Sequence, residues 1–291
     1  MMSSVQYSED TPKAEEGQPL EPLEVTGQSK FRIVVRMSAH TILFLNQKGG
    51  VGKTTSVVNL GSALARMGKK VLLIDLDSQA NMSSALDLEA GGPSIYDVIA
   101  SRVAVSDAVQ TTKVKNLSAI ASNLDMAGLN IELVDQEGRE FFLKNALQGI
   151  ESQWEYILVD CPPSLGLVTI NAMVWAEQVV IPLQCEYLAM EGLNLLMRTV
   201  SNIRKNLNPQ LRVLGILFTM YSKRTKLANE VVEDVSSFFP TLVFKTLIPR
   251  NVRIAEAPSH GLPINMYDNA SKGAKAYQHF AKEVVERVRT H

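Results

Sequence analysis

The stretch Asn46-Gln47-Lys48-Gly49-Gly50-Val51-Gly52-Lys53-Thr54-Thr55 constrains this chain more than any other. An apolar run, Ile42-Leu43-Phe44-Leu45, leads into it. A helical pattern leads out, with Val57, Leu60, Leu64 and Met67 on one face and Gly68 at the stop. Strand, glycine-rich loop and helix in that order form a cradle of backbone N–H groups for phosphate. Gly52, Lys53 and Thr54 fit the second half of the usual G-x-x-x-x-G-K-[ST] loop, in which the lysine reaches the outer phosphates and the hydroxyl binds Mg²⁺. Gln47 stands where the first glycine belongs, and Lys48-Gly49-Gly50 fills positions that are usually variable. The loop therefore presents two lysines, Lys48 and Lys53, to one phosphate site. Its predicted nucleotide-binding residues run from Lys48 through Gly49, Gly50, Val51, Gly52, Lys53 and Thr54 to Thr55.

Apolar runs and helical patterns alternate along the rest of the chain. Val71–Ile74 ends at Asp75, and Leu117–Ala121, Tyr156–Val159, Val179–Leu183, Val213–Phe218 and Leu242–Thr246 also read as strands. Helices are expected over Arg139–Ile150, Leu167–Ala176, Leu188–Asn206 and Leu227–Phe238. Near-continuous apolar strands separated by helices predict an α/β fold: one doubly wound domain, a mostly parallel sheet with helices on both faces. That domain is assigned to residues 39–291. Residues 1–30 hold Pro12, Pro19, Pro22 and six acidic side chains with few large apolar ones, so 1–38 reads as a flexible N-terminal extension.

Ligands of such sheets sit beyond the carboxyl ends of the strands, where Asp75, Asp77 and Asp160 fall. Tyr156-Ile157-Leu158-Val159-Asp160 is an apolar strand tipped by a carboxylate, suited to hold Mg²⁺ opposite the hydroxyl of Thr54. Asp75-Leu76-Asp77 places two carboxylates at alternate positions, Asp75 toward the metal and Asp77 toward an attacking water. The competing reading is that each acid merely caps a turn or helix.

Composition narrows the classes. The chain of 291 residues is 46% hydrophobic and 20% charged, ordinary for a globular α/β protein. No apolar run approaches a membrane span, and the first residues lack the order of a signal peptide, so a cytoplasmic location is expected. Cys161 and Cys185 lack C-x-x-C spacing, which speaks against a zinc ribbon or a metal-cluster carrier. Charge is lopsided. Residues 41–197 carry 10 basic and 17 acidic side chains, whereas residues 198–253 carry 10 basic and 3 acidic. The later segment reads either as an anion-binding face or as a plain solvated surface.

Five motifs carry a resemblance. Residues 48–55 (KGGVGKTT), 75–81 (DLDSQAN), 157–166 (ILVDCPPSLG), 215–225 (GILFTMYSKRT) and 248–264 (IPRNVRIAEAPSHGLPI) resemble those of the ParA/Soj partitioning ATPases, which form the deviant-Walker-A group with MinD. The resemblance covers about residues 39–289. It implies ATP and Mg²⁺ as cofactors and an ATP-sandwich homodimer, with Lys48 crossing to the triphosphate of the partner while Lys53 serves its own. Lys48, Lys53 and Asp77 are then the catalytic residues, and Thr54, Asp75 and Asp160 the metal-site residues. Pro249 and Asn251 resemble the adenine-side contact. Non-specific binding of double-stranded DNA is implied for Lys223, Arg224 and Lys226, with Arg204 and Arg253 as further candidates. A second family arginine aligns with Ser201, so Arg198, Arg204 and Lys205 nearby are considered instead. A ParB-like centromere-binding protein is the implied stimulating partner, and a nucleoid-associated location follows. Ser78 stands where the family usually has proline.

The rival is a MinD-like, membrane-associated positioning ATPase, which would share every nucleotide motif. Its membrane contact would have to come from the C-terminal stripe of Tyr277, Phe280, Ala281, Val284, Val285 and Val288. That stripe is rich in valine and alanine rather than in bulky interfacial residues, so it is expected to pack on its own domain, with no membrane as partner.

Overall fold

The computed structural model describes residues 39–290; the extension read over 1–38 lies outside them. Seven strands form one sheet: β1 (His40–Phe44), β2 (Val71–Asp75), β3 (Val109–Thr111), β4 (Leu117–Ile120), β5 (Tyr156–Asp160), β6 (Gln178–Gln184) and β7 (Arg212–Thr219). Their order is β3-β4-β2-β5-β1-β6-β7. Every pair is parallel except β3 with β4. The α-helices are α1 (Lys53–Arg66), α2 (Asn81–Ala85), α3 (Ile95–Ile99), α4 (Met126–Glu132), α5 (Phe142–Ala146), α6 (Leu167–Trp175), α7 (Ala189–Asn206), α8 (Lys226–Phe238), α9 (Val252–Glu256), α10 (Ile264–Tyr267) and α11 (Lys272–Thr290).

Side-chain alternation along the strands divides the core into two layers. Ile42 and Phe44 of β1, Leu73 of β2 and Leu158 of β5 point to one face and pack under α1 and α11. Leu43 and Leu45, Leu72 and Ile74, and Ile157 and Val159 point to the other, under α3 to α8. Both faces are covered, which is why these strands read as unbroken apolar runs. Burial of each large aliphatic side chain contributes roughly 1.5–3 kcal/mol, so the central strands anchor the sheet that carries the loops. Gly61 eases the approach of α1: a Cβ there would lie 2.7 Å from Leu73 Cδ2 and would force that side chain to shift.

The C-terminal stripe is internal. Tyr277, Phe280, Ala281, Val284, Val285 and Val288 are all buried, and the Tyr277 hydroxyl lies 3.2 Å from Ser56 Oγ of α1. Among the described residues no helix is long and apolar enough to cross a membrane.

Two expected elements differ. The run Leu242–Thr246 is not a strand: it touches the sheet through a single bridge, Ile216 to Val243. The Glu283 carboxylate accepts from the Lys245 and Thr246 N–H groups at 2.7 and 3.0 Å, which withdraws this end of the run from the ladder, while the Arg287 guanidinium lies over Phe244 and donates to the Leu214 carbonyl of β7. The helix expected over Arg139–Ile150 shrinks to α5, because Gly149 adopts φ +85° and starts a separate 3₁₀ turn, Ile150–Gln153. The short edge strand β3 has no counterpart in the sequence reading; three residues are too few to show a period.

Candidate active site

The glycine-rich loop joins β1 to α1 at the carboxyl end of the sheet. Gly52 is the N-cap of α1 at φ 86°, a left-handed conformation that favours glycine, and no side chain caps the helix. The first N–H groups of α1 are thus left for an anion. Three contacts fix the loop's shape. Thr219 Oγ1 donates to the Val51 carbonyl at 2.7 Å, Asn46 Nδ2 donates to the Pro182 carbonyl at 2.7 Å, and Gln184 Nε2 donates to the Gly50 carbonyl at 3.2 Å.

The loop floors a cavity of about 470 Å³ whose walls include Gly49, Gly50, Gly52, Lys53, Thr54 and Thr55, with Asp77 on the facing side. A second cavity of about 300 Å³ shares Gly52 and Thr55 and is closed by Pro249, Asn251 and Tyr277. The fold therefore brings the late Pro249–Asn251 stretch to the phosphate loop across nearly two hundred residues of chain. Asn251 Oδ1 accepts from the Arg253 N–H at 2.8 Å and caps α9, and the same residue lines the second cavity.

The two lysines differ in setting. Lys53 is buried, and its ammonium donates to the Lys48 carbonyl at 3.3 Å. Burial lowers its pKa, against the pull of Asp160 and Asp77. Lys48 is exposed and ion-paired to Glu186, which is itself half exposed. Glu186 belongs to no motif; its one signal in the sequence is its place just past β6, at the same sheet end as Asp75 and Asp160.

The three acids also divide. Asp75 Oδ1 accepts from the Asp77 N–H at 3.1 Å, and Oδ2 accepts from Ser83 N–H at 3.0 Å and Ser83 Oγ at 2.8 Å. Burial raises its pKa to about 6, opposed by the Ser83 and Asp77 hydrogen bonds. Asp77 lines the main cavity, and its Oδ1 accepts from the Gln79 N–H at 3.0 Å, forming a local turn. Asp160 has no exposed surface, and neither oxygen accepts a hydrogen bond of normal geometry. Burial, then the neighbouring Asp75, push its pKa well up, while the Thr54 hydroxyl and Lys53 stand close enough to pull it back. An orphaned buried carboxylate beside the Thr54 hydroxyl and the Lys53 side chain of the phosphate loop fits a hard divalent cation. Cys161, next in sequence, is a buried free thiol with its pKa pushed up by burial.

The basic residues do not form one patch. Lys223 and Arg224 lie in the turn after β7, at the same sheet end as the phosphate loop, with Lys226 opening α8 and pairing with Glu230 at 3.3 Å. Arg204 lies in the last turn of α7, which runs back to the opposite end of the sheet. Arg253 is committed to acids, 2.9 Å from Glu256 and 3.8 Å from Asp268.

Comparison with known proteins agrees with this geometry. The family model described as AAA domain matches residues 39–213. The chain is 52% identical over 247 residues to a protein of Treponema pallidum named chromosome-partitioning ATPase Soj, covering 85% of this chain and 97% of that one. It is 44% identical over 260 residues to the chromosome partitioning protein ParA of Caulobacter vibrioides, covering 87% and 97%. Among solved structures, cobyrinic acid a,c-diamide synthase from Mycobacterium smegmatis with bound ADP and magnesium superposes with TM-score 0.75 at 34% identity, covering 87% of this chain and 96% of that one.

Proposed function

Because the chain belongs to the ParA/Soj family of chromosome-partitioning ATPases, we propose that it works as a nucleotide-timed clamp on DNA. In this reading it binds ATP with Mg²⁺, pairs with a second copy across the bound triphosphates, and grips double-stranded DNA without regard to sequence. It hydrolyses ATP when a ParB-like centromere-binding protein stimulates it, in the cytoplasm and on the nucleoid, and residues 39–291 form the working domain.

The observation that carries this reading is the unequal setting of the two lysines. Lys53 is held inside its own loop, where it serves the outer phosphates of the same protomer. Lys48 stands at the rim on an exposed partner, so its ammonium is available to a neighbouring molecule once Glu186 releases it. A cation lent across an interface ties turnover to pairing. Thr54 and Asp160 would hold Mg²⁺, with Asp75 behind them. When bound, the ion neutralises charge on the phosphates. Asp77 orients the attacking water, Gly49 through Thr55 cradle the phosphates, and Pro249 and Asn251 take the adenine side. Lys223, Arg224 and Lys226 contact DNA phosphates near the nucleotide end, and Arg204 supplies a second, distant contact. Arg253 contributes less because Glu256 and Asp268 already offset its charge. The membrane-associated alternative has no comparable support, since the apolar stripe it would need is buried.

The test is Lys48→Ala. Hydrolysis and ATP-dependent dimerisation should disappear together, read by phosphate release and by size-exclusion chromatography with ATP. A full ATP dimer in that variant would sink the cross-subunit role.

A further inference from the structure

We propose that the outer face of α4, with the turns at its two ends, is a docking surface for a basic amphipathic helix of a partner protein. The helix is two-faced. Met126, Leu129 and Leu133 are buried in the core. On the opposite side Leu124, Ala127, Ile131 and Val134 recur at helical spacing and face solvent, Leu124 being 76%, Ile131 78% and Val134 47% exposed. Single exposed leucines are common, but an apolar row along one short element is the pattern of a contact surface.

Charge identifies the class of occupant. Asp125, Glu132, Asp135 and Glu137 rim this row, and no lysine or arginine occurs between residues 116 and 138. Asp135 and Glu137 are exposed and have no ion pair among the described residues. Two cations that contact this segment or its neighbour Tyr96 are already engaged. Arg139 pairs with Glu140 and donates to the Val134 carbonyl, and Arg102 pairs with Asp97 and lies over Tyr96. Glu132 accepts the Tyr96 hydroxyl and Asp125 accepts from Asn123 Nδ2, but neither carboxylate has an ion-pair partner among the described residues. An apolar stripe framed by carboxylates without ion-pair partners complements a helix with leucine-like residues on one face and lysine or arginine beside them.

The face is also fastened to the active site from both sides. Asn130 of α4 accepts from the Val168 N–H at 3.3 Å, at the start of the helix that follows the Asp160 loop. A Cβ on Gly166 would come within 3.0 Å of Asn130 Oδ1, so the loop and α4 are in close contact. Just before α4, the Ser122 N–H donates to Ser83 Oγ at 3.0 Å, and that hydroxyl donates to Asp75 at 2.8 Å. A docked helix thus presses on a segment whose two ends touch the chain beyond β5, through Asn130, and the Asp75 network, through Ser122. This extends the partner-stimulated reading above to a place on the surface and rests on that reading only for the rate effect.

The test uses the full chain and a fluorescein-labelled 18-residue helical peptide of leucine and lysine, with a leucine–glutamate peptide as control. The lysine peptide should bind, with affinity falling as salt rises, and should change the ATPase rate. The Leu124→Ser, Ile131→Ser double variant, altered only at exposed positions and checked by thermal melting, should lose about tenfold in affinity and the rate effect with it. Asp135→Asn with Glu137→Gln should lose about threefold and flatten the salt dependence. Phe238→Ser, at an exposed position on α8, should change nothing. Equal affinity for wild type and the double variant would overturn the proposal, as would equal binding of the glutamate peptide. So would loss of the ATP dimer in the double variant with peptide binding intact, which would assign the face to a second copy. Peptide binding at α4 with no rate change at saturation would leave the surface standing and sink the stimulated-ATPase link.

Discussion

Strands β2 and β5 run side by side in register, Asp75 opposite Asp160, yet the two carboxylates meet different surroundings. Asp75 accepts three hydrogen bonds from the loop and helix that follow it. Asp160 is as deeply buried and accepts none of normal geometry. The sequence pattern is the same in both, an apolar run ending in aspartate. What separates a carboxylate filled by its own chain from one left without donors is the chain beyond the strand: the Asp77 and Ser83 N–H groups and the Ser83 hydroxyl turn back onto Asp75, whereas Pro162 and Pro163 after Asp160 have no N–H to offer.

The largest effect should come from removing the carboxylate that accepts no hydrogen bond. Asp160→Asn is expected to lower magnesium-dependent ATP turnover by on the order of 10²–10³. The metal-free protein should melt at the same temperature or higher, because a neutral amide replaces a carboxyl group that burial makes costly to ionise. Steady-state rates against magnesium concentration, with a thermal melt, decide this. If Asp75→Asn costs more turnover than Asp160→Asn, the two strands have been assigned the wrong way round.

The next effect is on stability. Asp75 holds its proton to about pH 6 in the folded chain, against 3.8 for an ordinary aspartate, and Asp160 is shifted the same way. Between pH 4 and 6 the native state therefore binds more protons than the unfolded one, so metal-free stability falls as pH rises through that window. The Asp75 share is on the order of 3 kcal/mol. Asp75→Asn should flatten the slope, and ADP with magnesium should reduce it in the wild type by giving Asp160 a cation. Denaturant titrations at pH 4.5 and 6.5 measure it; a slope of the opposite sign would mean that these acids are ionised at little cost.

Much of this end of the molecule is legible in sequence because it is built locally. The loop from Lys48 to Thr55 lies between a strand and a helix whose periods are plain, and β1, β2, β5, β6 and β7 match apolar runs to within a residue or two. Other features are tertiary. The failure of Leu242–Thr246 to become a strand depends on Glu283, which takes the Lys245 and Thr246 N–H groups from nearly forty residues later. The ion pair of Lys48 with Glu186 spans 138 positions and follows no local pattern. The basic excess over residues 198–253 is visible as a count, but its division between two ends of the sheet is set by the direction of α7. Even α4, whose exposed row is regular, is too short to announce itself as a helix.

The smallest change sharpens the comparison most finely. Ser83 Oγ is the hinge of the Asp75 network: it donates to Oδ2 at 2.8 Å and accepts from the Ser122 N–H at 3.0 Å. Ser83→Ala leaves the Ser83 N–H contact to Asp75 in place but strands a buried backbone donor at Ser122, whose own hydroxyl has no partner. The expected cost is about 1–2 kcal/mol in global stability, from one lost acceptor and one weakened carboxylate contact. Because Asp75 then has one donor fewer, its proton should be held to higher pH and the loss of stability should extend further above pH 6. Asp160 is untouched by this change, so the magnesium concentration giving half-maximal turnover should stay within about twofold of wild type. A large rise in that concentration would show that Asp75, rather than serving the fold, shares the cation with its neighbour.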